Sequence, residues 1–139
     1  MSFLLDTCVI SELASTQPAP SVVAWIDAVE DERIFLSVIT IGEIQRGIEE
    51  LPDSHRKRAL SSWLVDELLV RFQGRVLSLG IPVLLAWGGL VARLERQGRK
   101  PPALDSLIAA LAVHHNLKLV THNEKDFAGT GVTIFNPWR

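Results

Sequence analysis

Short apolar segments that end abruptly in polar residues recur along this chain, and longer helical patterns separate them. The first segment, Phe3-Leu4-Leu5, runs directly into Asp6. An apolar run that is closed in this way is typical of a buried, parallel strand. The later segments of this kind lie at residues 34–38, 76–79, 117–121 and 132–135. Strands that alternate with helices predict βαβ units, and therefore a three-layer α/β/α fold around a central, mostly parallel sheet.

Helical periodicity and start signals place the intervening helices. The first helix begins near Val9, and Ser37 or Thr40 can begin the one that follows the second strand. Glu43, three residues after Thr40, fits a capping box and is expected in the first turn of that helix. The remaining predicted helices span about residues 20–29, 54–72, 81–96 and 103–114.

Length and composition limit the class of protein. A chain of 139 residues is expected to form one domain over residues 1–139, and 47% hydrophobic with 22% charged residues argues against disorder. No apolar run is long enough for a membrane span, and Asp6 interrupts any signal-peptide pattern. A single cysteine, Cys8, excludes an internal disulfide and favours a cytoplasmic location. The net charge of −2 gives no general attraction to nucleic acid.

Acidic residues from distant parts of the sequence are predicted to meet at one edge of this sheet. Asp6 ends the first strand, Glu43 follows the second, and Asp105 opens the helix that leads into the fourth. Asn123 and Asp126 follow the fourth strand. In a βαβ fold each helix begins where the preceding strand ends, and open α/β sheets bind ligands along that edge.

Each acid also has an ordinary structural explanation, because carboxylates near helix N-termini are stabilised by the helix dipole. Three carboxylates brought together repel one another unless a cation or protons neutralise them. No cysteine and histidine pattern accompanies them, so zinc is disfavoured, and an all-oxygen site suits Mg²⁺ or Mn²⁺. Such a site is suited to hydrolysis of a phosphodiester.

For the histidine, tryptophan and basic residues elsewhere in the chain, a structural role is the favoured interpretation. His114 and His115 are adjacent on a helix and cannot chelate from one face, and His122 is also assigned to the surface. Trp25, Trp63 and Trp87 lie in helical segments and are expected in the core or at a subunit interface, with base stacking as the weaker option. The basic runs at residues 56–58 and 93–100 are expected to be solvated, although RNA binding needs such cations.

Four segments in this order resemble PIN-domain ribonucleases, in particular the VapC/FitB-type toxins of bacterial toxin–antitoxin pairs. They read LLDTCVISE at residues 4–12, SVITIGE at 37–43, LDSLIAA at 104–110 and LVTHNEKDF at 119–127, and the closing FNPW at 135–138 adds to the resemblance.

The resemblance implies a Mg²⁺-dependent endoribonuclease that hydrolyses RNA and is inhibited by a small cognate antitoxin. Asp6, Glu43 and Asp105 match the three acidic metal-site positions of the family. Asn123 stands where many relatives have a fourth acid, which leaves open whether a second metal binds and whether Asp126 substitutes. Cys8 replaces an asparagine that is often found there, and a small buried filler is its favoured role.

The resemblance also implies a homodimer, or a larger assembly with the antitoxin that contacts operator DNA only through that antitoxin. Two other functions stay open. One is a catalytically silent PIN-like module that binds RNA or protein. The other is a phosphatase with an Asp6 nucleophile, which is disfavoured because Cys8 occupies the position where such enzymes carry a second aspartate.

Overall fold

A five-stranded, entirely parallel sheet forms the centre of the computed structural model, which describes all 139 residues. The strand order is β3-β2-β1-β4-β5. The strands are β1 (Phe3–Leu5), β2 (Ile34–Ser37), β3 (Val76–Leu77), β4 (Lys118–Val120) and β5 (Ile134–Phe135). All four pairings are parallel, which confirms the predicted topology, although every strand after the first is shorter than its apolar segment.

Seven helices connect these strands. They are α1 (Thr7–Leu13), α2 (Pro20–Ala28), α3 (Val38–Glu49), α4 (His55–Trp63), α5 (Leu69–Arg71), α6 (Ile81–Arg96) and α7 (Ala103–His114). The bounds of α6 and α7 are the predicted ones. No helix is both long enough and apolar enough to cross a bilayer.

The predicted helix over residues 54–72 is continuous but not regular. A π-helical segment, Leu64–Leu68, joins α4 to α5. Leu64, Leu68 and Phe72 are buried, as the apolar pattern predicts. The π turn is wider than an α-helical turn. Buried positions four residues apart fit both kinds of turn, so the sequence pattern does not distinguish them.

The expected position of Glu43 in its helix is wrong by one turn. Ser37 is the N-cap of α3, and its hydroxyl accepts a hydrogen bond from the Thr40 N–H at 3.2 Å. Thr40 therefore lies inside the first turn, and Glu43 lies in the second. No acidic residue occupies the first turn, so the capping box built on Thr40 and Glu43 does not form.

Two apolar cores, one on each face of the sheet, make the three layers. Leu5 and Val120 point to the core that packs α1, α2, α3 and the π segment. Their neighbours Leu4 and Leu119 point to the opposite core, under α6 and α7. Successive strand residues face opposite sides of a sheet, so each short strand contributes to both cores.

The strand order reverses between β1 and β4. From β1 the chain proceeds outward to β2 and β3 on one side, and then crosses to β4 and β5 on the other. Helices that leave β1 and β4 diverge to opposite faces at such a point, and a crevice opens beyond the carboxyl ends of the two strands. Asp6 follows β1 and Thr121 follows β4 at this crevice.

We expect Ser37→Ala to lower the stability of the protein by about 1 kcal/mol, because it removes the buried side-chain cap of α3. Thermal unfolding followed by circular dichroism measures the change. Ser62→Ala, at an exposed position inside α4, is the matched control and should leave the melting temperature nearly unchanged. Equal melting temperatures for Ser37→Ala and the control would contradict the assignment of the cap.

Candidate metal-dependent active site

The four residues predicted for the site line one open cavity of about 440 Å³ at the crevice between β1 and β4. The complete lining consists of Asp6, Thr7, Cys8, Ser11, Glu12, Ser15, Glu43, Asp105 and Asn123. Four of these side chains are carboxylates and none is a lysine, an arginine or a histidine. The cavity is therefore strongly negative, and residues from both ends of the chain build it.

Asp6 is the most buried member of the site, with only 3% of its surface exposed. Its Oδ1 accepts the Thr7 N–H at 2.8 Å, and its Oδ2 accepts the Thr121 hydroxyl at 2.7 Å. Burial nevertheless raises the pKa of Asp6, and the charge of Glu43 adds to the rise while these hydrogen bonds oppose it. Asp6 also serves as the N-cap of α1, so the structural and chemical interpretations of this residue are compatible.

A pair of threonine hydroxyls fixes Glu43. The Thr7 hydroxyl donates to Glu43 Oε1 at 2.6 Å, and it lies 2.9 Å from the hydroxyl of the fully buried Thr40. Because the single proton of Thr7 goes to the carboxylate, Thr40 must donate to Thr7. One oxygen of Glu43 is thus occupied from α1, and its other oxygen is available to the cavity.

Asp105 lines the same cavity from the first turn of α7. Burial raises its pKa to about 6, and the charges of Asp6, Asp126 and Glu43 contribute in that order. The helix is anchored beside it, because the Ser106 hydroxyl accepts the Trp87 indole N–H at 2.9 Å and donates to the Ala103 carbonyl at 2.7 Å. α6 therefore supports the turn that carries Asp105.

Asn123 is exposed at the mouth of the cavity. Its backbone N–H donates to the Thr121 hydroxyl at 3.0 Å, and its side chain caps nothing in the short 3₁₀ helix that follows, Glu124–Phe127. Asp126 lies in that 3₁₀ helix and lines a neighbouring cavity, although its charge acts on Asp105. Asn123 is thus part of the acidic cavity itself, whereas Asp126 acts on it from outside.

Cys8 lies beside Asp6 at the base of the cavity. Its Sγ is 3.6 Å from Asp6 Oδ2 and 3.5 Å from the Thr121 hydroxyl, and it accepts the His122 N–H at 3.5 Å. Burial and the charge of Asp6 raise the pKa of the thiol, which keeps it protonated. The sequence predicts a small buried filler at this position, and Cys8 is half-buried in the structure.

The donor set fits a hard cation that keeps part of its water shell. No three histidine, cysteine, aspartate or glutamate side chains are placed so that they could hold an ion between them. Mg²⁺ commonly binds through one or two carboxylates and retains several waters, so three direct ligands are not required. Burial is the main cause of the raised pKa values of Asp6 and Asp105, and neighbouring carboxylates add to both. The lining offers no basic side chain that would offset this negative charge.

Sequence reasoning identified the acids of this site but not the hydroxyls that position them. Thr7, Thr40 and Thr121 each form a hydrogen bond within this network. For Thr7 and Thr121 the signal in the sequence is a hydroxyl residue within two positions of the end of β1 or β4. Its partner, however, lies 33 to 115 residues away, and only the folded structure identifies it.

The sequence matches the PIN-domain family over residues 3–132. Toxin FitB of Neisseria gonorrhoeae is 36% identical to this chain over 135 residues, which are 97% of each chain. VapC ribonuclease Y4jK of Sinorhizobium fredii is also 36% identical over 135 residues, which are 97% of this chain and 96% of the relative.

Solved structures give the same grouping. The crystal structure of FitAcB from Neisseria gonorrhoeae matches with a TM-score of 0.93 at 36% identity and covers 99% of both chains. The structure of VapBC2 from Rickettsia felis, bound to a DNA fragment from their promoter, matches with a TM-score of 0.81 at 25% identity over 98% of each chain. The fold, the family match and the near full-length relatives agree, and the chain belongs to the PIN-domain family, in the branch of the VapC and FitB toxins.

Proposed function

We propose that this protein is a Mg²⁺-dependent endoribonuclease and the toxin of a toxin–antitoxin pair, with Mn²⁺ as a possible substitute for Mg²⁺. The observation that carries the proposal is the cavity lined by four carboxylates and no basic side chain. A phosphodiester would be repelled from such a cavity unless a bound cation reversed the local field. The ribonuclease name of the Sinorhizobium relative supports RNA as the substrate.

In this proposal each site residue has a distinct role. Asp6 and Asp105 hold the metal, which when bound supplies an activated water and neutralises charge on the phosphodiester. Glu43, which the sequence also offers as a metal ligand, orients the attacking water with the oxygen that Thr7 leaves available, because no three acids of the site are placed to hold one ion together. Asn123, at the mouth of the cavity, ligates or positions the substrate through its side-chain carbonyl.

An apolar groove beside the acidic cavity supports an antitoxin partner. It lies between α1, α3 and α4, and Ser11 and Glu43 line both spaces. Six of the ten residues that line the groove are hydrophobic. A partner helix with its apolar face in this groove could reach the carboxylates and cover them. The relatives solved as FitAB and VapBC complexes bound to DNA support an antitoxin partner. In this proposal the antitoxin alone contacts operator DNA.

An exposed apolar stripe on α6 supports a homodimer. Ile81, Leu84 and Leu85 are exposed in the single chain, although they belong to the first turns of a long helix. Apolar side chains grouped on one helix face are typical of a subunit contact.

Cleavage of single-stranded RNA by purified, antitoxin-free protein tests the proposed activity. We expect cleavage with Mg²⁺, none with chelator, and a loss of at least about 100-fold in Asp6→Asn, because a metal ligand supplies several kcal/mol of transition-state stabilisation. Asp66→Asn, at an exposed acid outside the cavity, is the matched control.

Full cleavage by Asp6→Asn would contradict the site assignment. Absence of cleavage from folded wild-type protein that binds Mg²⁺ would favour the silent RNA- or protein-binding module. Release of inorganic phosphate from a phosphomonoester without cleavage of RNA would favour the phosphatase.

The carboxylate cluster also predicts a pH-dependent stability in metal-free buffer. The pKa of Asp105 rises from 3.8 to about 6 on folding, so the folded protein binds this proton more tightly than the unfolded chain. The resulting stabilisation is complete below pH 3.8 and is lost as the pH rises through 6. We therefore expect Asp105→Asn to unfold at a higher temperature than wild type above pH 6, and not near pH 4.

Thermal unfolding in the presence of chelator measures this difference, with Asp66→Asn as the exposed control. Added Mg²⁺ at pH 7.5 should raise the melting temperature of wild type more than that of Asp105→Asn, because binding to the folded state alone stabilises it. A difference between variant and wild type that does not change with pH would contradict the coupling of Asp105 to its neighbours.

The hydrogen bond from Thr7 to Glu43 predicts a positioning effect. Thr7→Val removes the donor and should lower kcat about tenfold, the order expected for a hydrogen bond to a charged group, while Thr7→Ser restores it. Thr133→Val, at an exposed threonine outside the site, is the control. If Thr7→Val and Thr7→Ser lower kcat equally, the hydroxyl has no such role.

A further inference from the structure

A second cavity adjoins the acidic one and differs from it in chemistry. Its volume is about 550 Å³, within the range of ligand pockets, and it is lined by His122, Asn123, Glu124, Lys125, Asp126, Asn136, Trp138 and Arg139. Asn123 lines both cavities, so the two adjoin after the carboxyl end of β4. Apart from Asn123, none of these residues has a role in the proposed hydrolysis.

An aromatic stack forms one wall of the second cavity. The imidazole of His122 lies on the indole of Trp138 with ring centroids 4.6 Å apart and an interplanar angle of 15°. Trp138 packs against the apolar core on its inner side, whereas His122 is exposed. One face of the imidazole is therefore covered by Trp138 and the other faces the solvent.

Hydrogen bonds hold this stack in place. The backbone N–H of Trp138 donates to Asn136 Oδ1 at 2.9 Å, and the Asn136 side-chain N–H donates to Glu124 Oε2 at 2.9 Å. On the His122 side of the stack, the backbone N–H of His122 donates to the Cys8 sulfur, which lies beside Asp6. The main chain of each stacked residue is thus anchored by a hydrogen bond, and His122 is held next to the acidic cavity.

Basic side chains are present here, in contrast to the acidic cavity. Lys125 is exposed in the lining, and the Arg139 guanidinium pairs with Glu124 at 2.7 Å while 77% of its side chain stays exposed. Two cations beside a planar, exposed ring are the combination that binds single-stranded nucleic acid, since the cations attract phosphates and the ring stacks on a base.

We propose that the outer face of His122, supported by Trp138, stacks on a nucleobase of single-stranded RNA next to the bond that is cut, with Lys125 and Arg139 beside the flanking phosphates. The placement relative to the cut bond rests on the proposed nuclease function, whereas the stacking itself does not. The occupant is a base rather than a free phosphate, because the feature that distinguishes this cavity is the π-face of the ring pair.

Another histidine pair in the chain offers a contrast. His114 and His115 meet edge to face, at an interplanar angle of 89°, where α7 ends. They lie at the opposite edge of the sheet from the acidic cavity, because α7 begins at that cavity with Asp105 and ends before β4 begins. His114→Ala therefore removes an exposed imidazole without touching the proposed subsite.

The test is the affinity of labelled 12-nucleotide RNAs, measured by fluorescence anisotropy in an Asp105→Asn background that keeps the RNA intact. We expect His122→Ala to raise the Kd for oligoadenylate roughly fivefold to a hundredfold, the range found when a stacking side chain is removed. His122→Phe should retain the affinity, and His114→Ala should not change it. A 12-nucleotide chain of abasic sites should bind the parent and His122→Ala equally, because it offers phosphates and no base.

Unchanged oligoadenylate affinity in His122→Ala would overturn the proposal, and so would an equal loss for the abasic chain, which would assign His122 to charge rather than to stacking. Cleavage assays without the Asp105 substitution separate this result from the proposed function. Mg²⁺-dependent cleavage together with His122-independent affinity would leave the nuclease and remove the subsite. Base-dependent affinity that requires His122, without any cleavage by wild type, would support the subsite and contradict the nuclease.

Discussion

The hydrogen bond from the Thr121 hydroxyl to Asp6 joins the ends of the two strands between which the sheet reverses its order. The Asp6 N–H reinforces the same junction by donating to the Val120 carbonyl at 2.9 Å. Every other part of the site is placed relative to this junction. Thr7 reaches Glu43 from the first position of α1, and Asn123 follows Thr121 by two residues. A slip of β1 against β4 would separate these groups.

Clustered carboxylates lower the stability of the folded state, and in this protein they are gathered at a single site. Asp6 is buried with its two oxygens hydrogen-bonded, and Asp105 is half-buried among other negative charges. Such strain is typical of a site arranged for a ligand rather than for stability. The structural positions elsewhere are ordinary: both cores are apolar, and no buried side-chain nitrogen or oxygen lacks a hydrogen-bond partner.

The sequence was sufficient to predict the parallel sheet and the acids at its edge, because strand–helix alternation determines which ends of the strands meet. Two kinds of information were missing from it. The turn of α3 that carries Glu43 depends on whether Ser37 or Thr40 caps the helix, and both are good caps. The stack of His122 on Trp138 depends on side-chain directions 16 residues apart, which no local pattern encodes. The sequence therefore predicts the exposure of His122 but not the ring on which it stacks.

The pairing of β1 with β4 has a consequence for the synthesis of this protein. The two partners of the Asp6–Thr121 hydrogen bond are 115 residues apart, so a nascent chain carries Asp6 long before it carries Thr121. Until β4 leaves the ribosome, β1 lacks one of its two neighbouring strands and Asp6 lacks the hydroxyl that donates to its Oδ2. The complete site therefore forms only after nearly the whole chain has been synthesised.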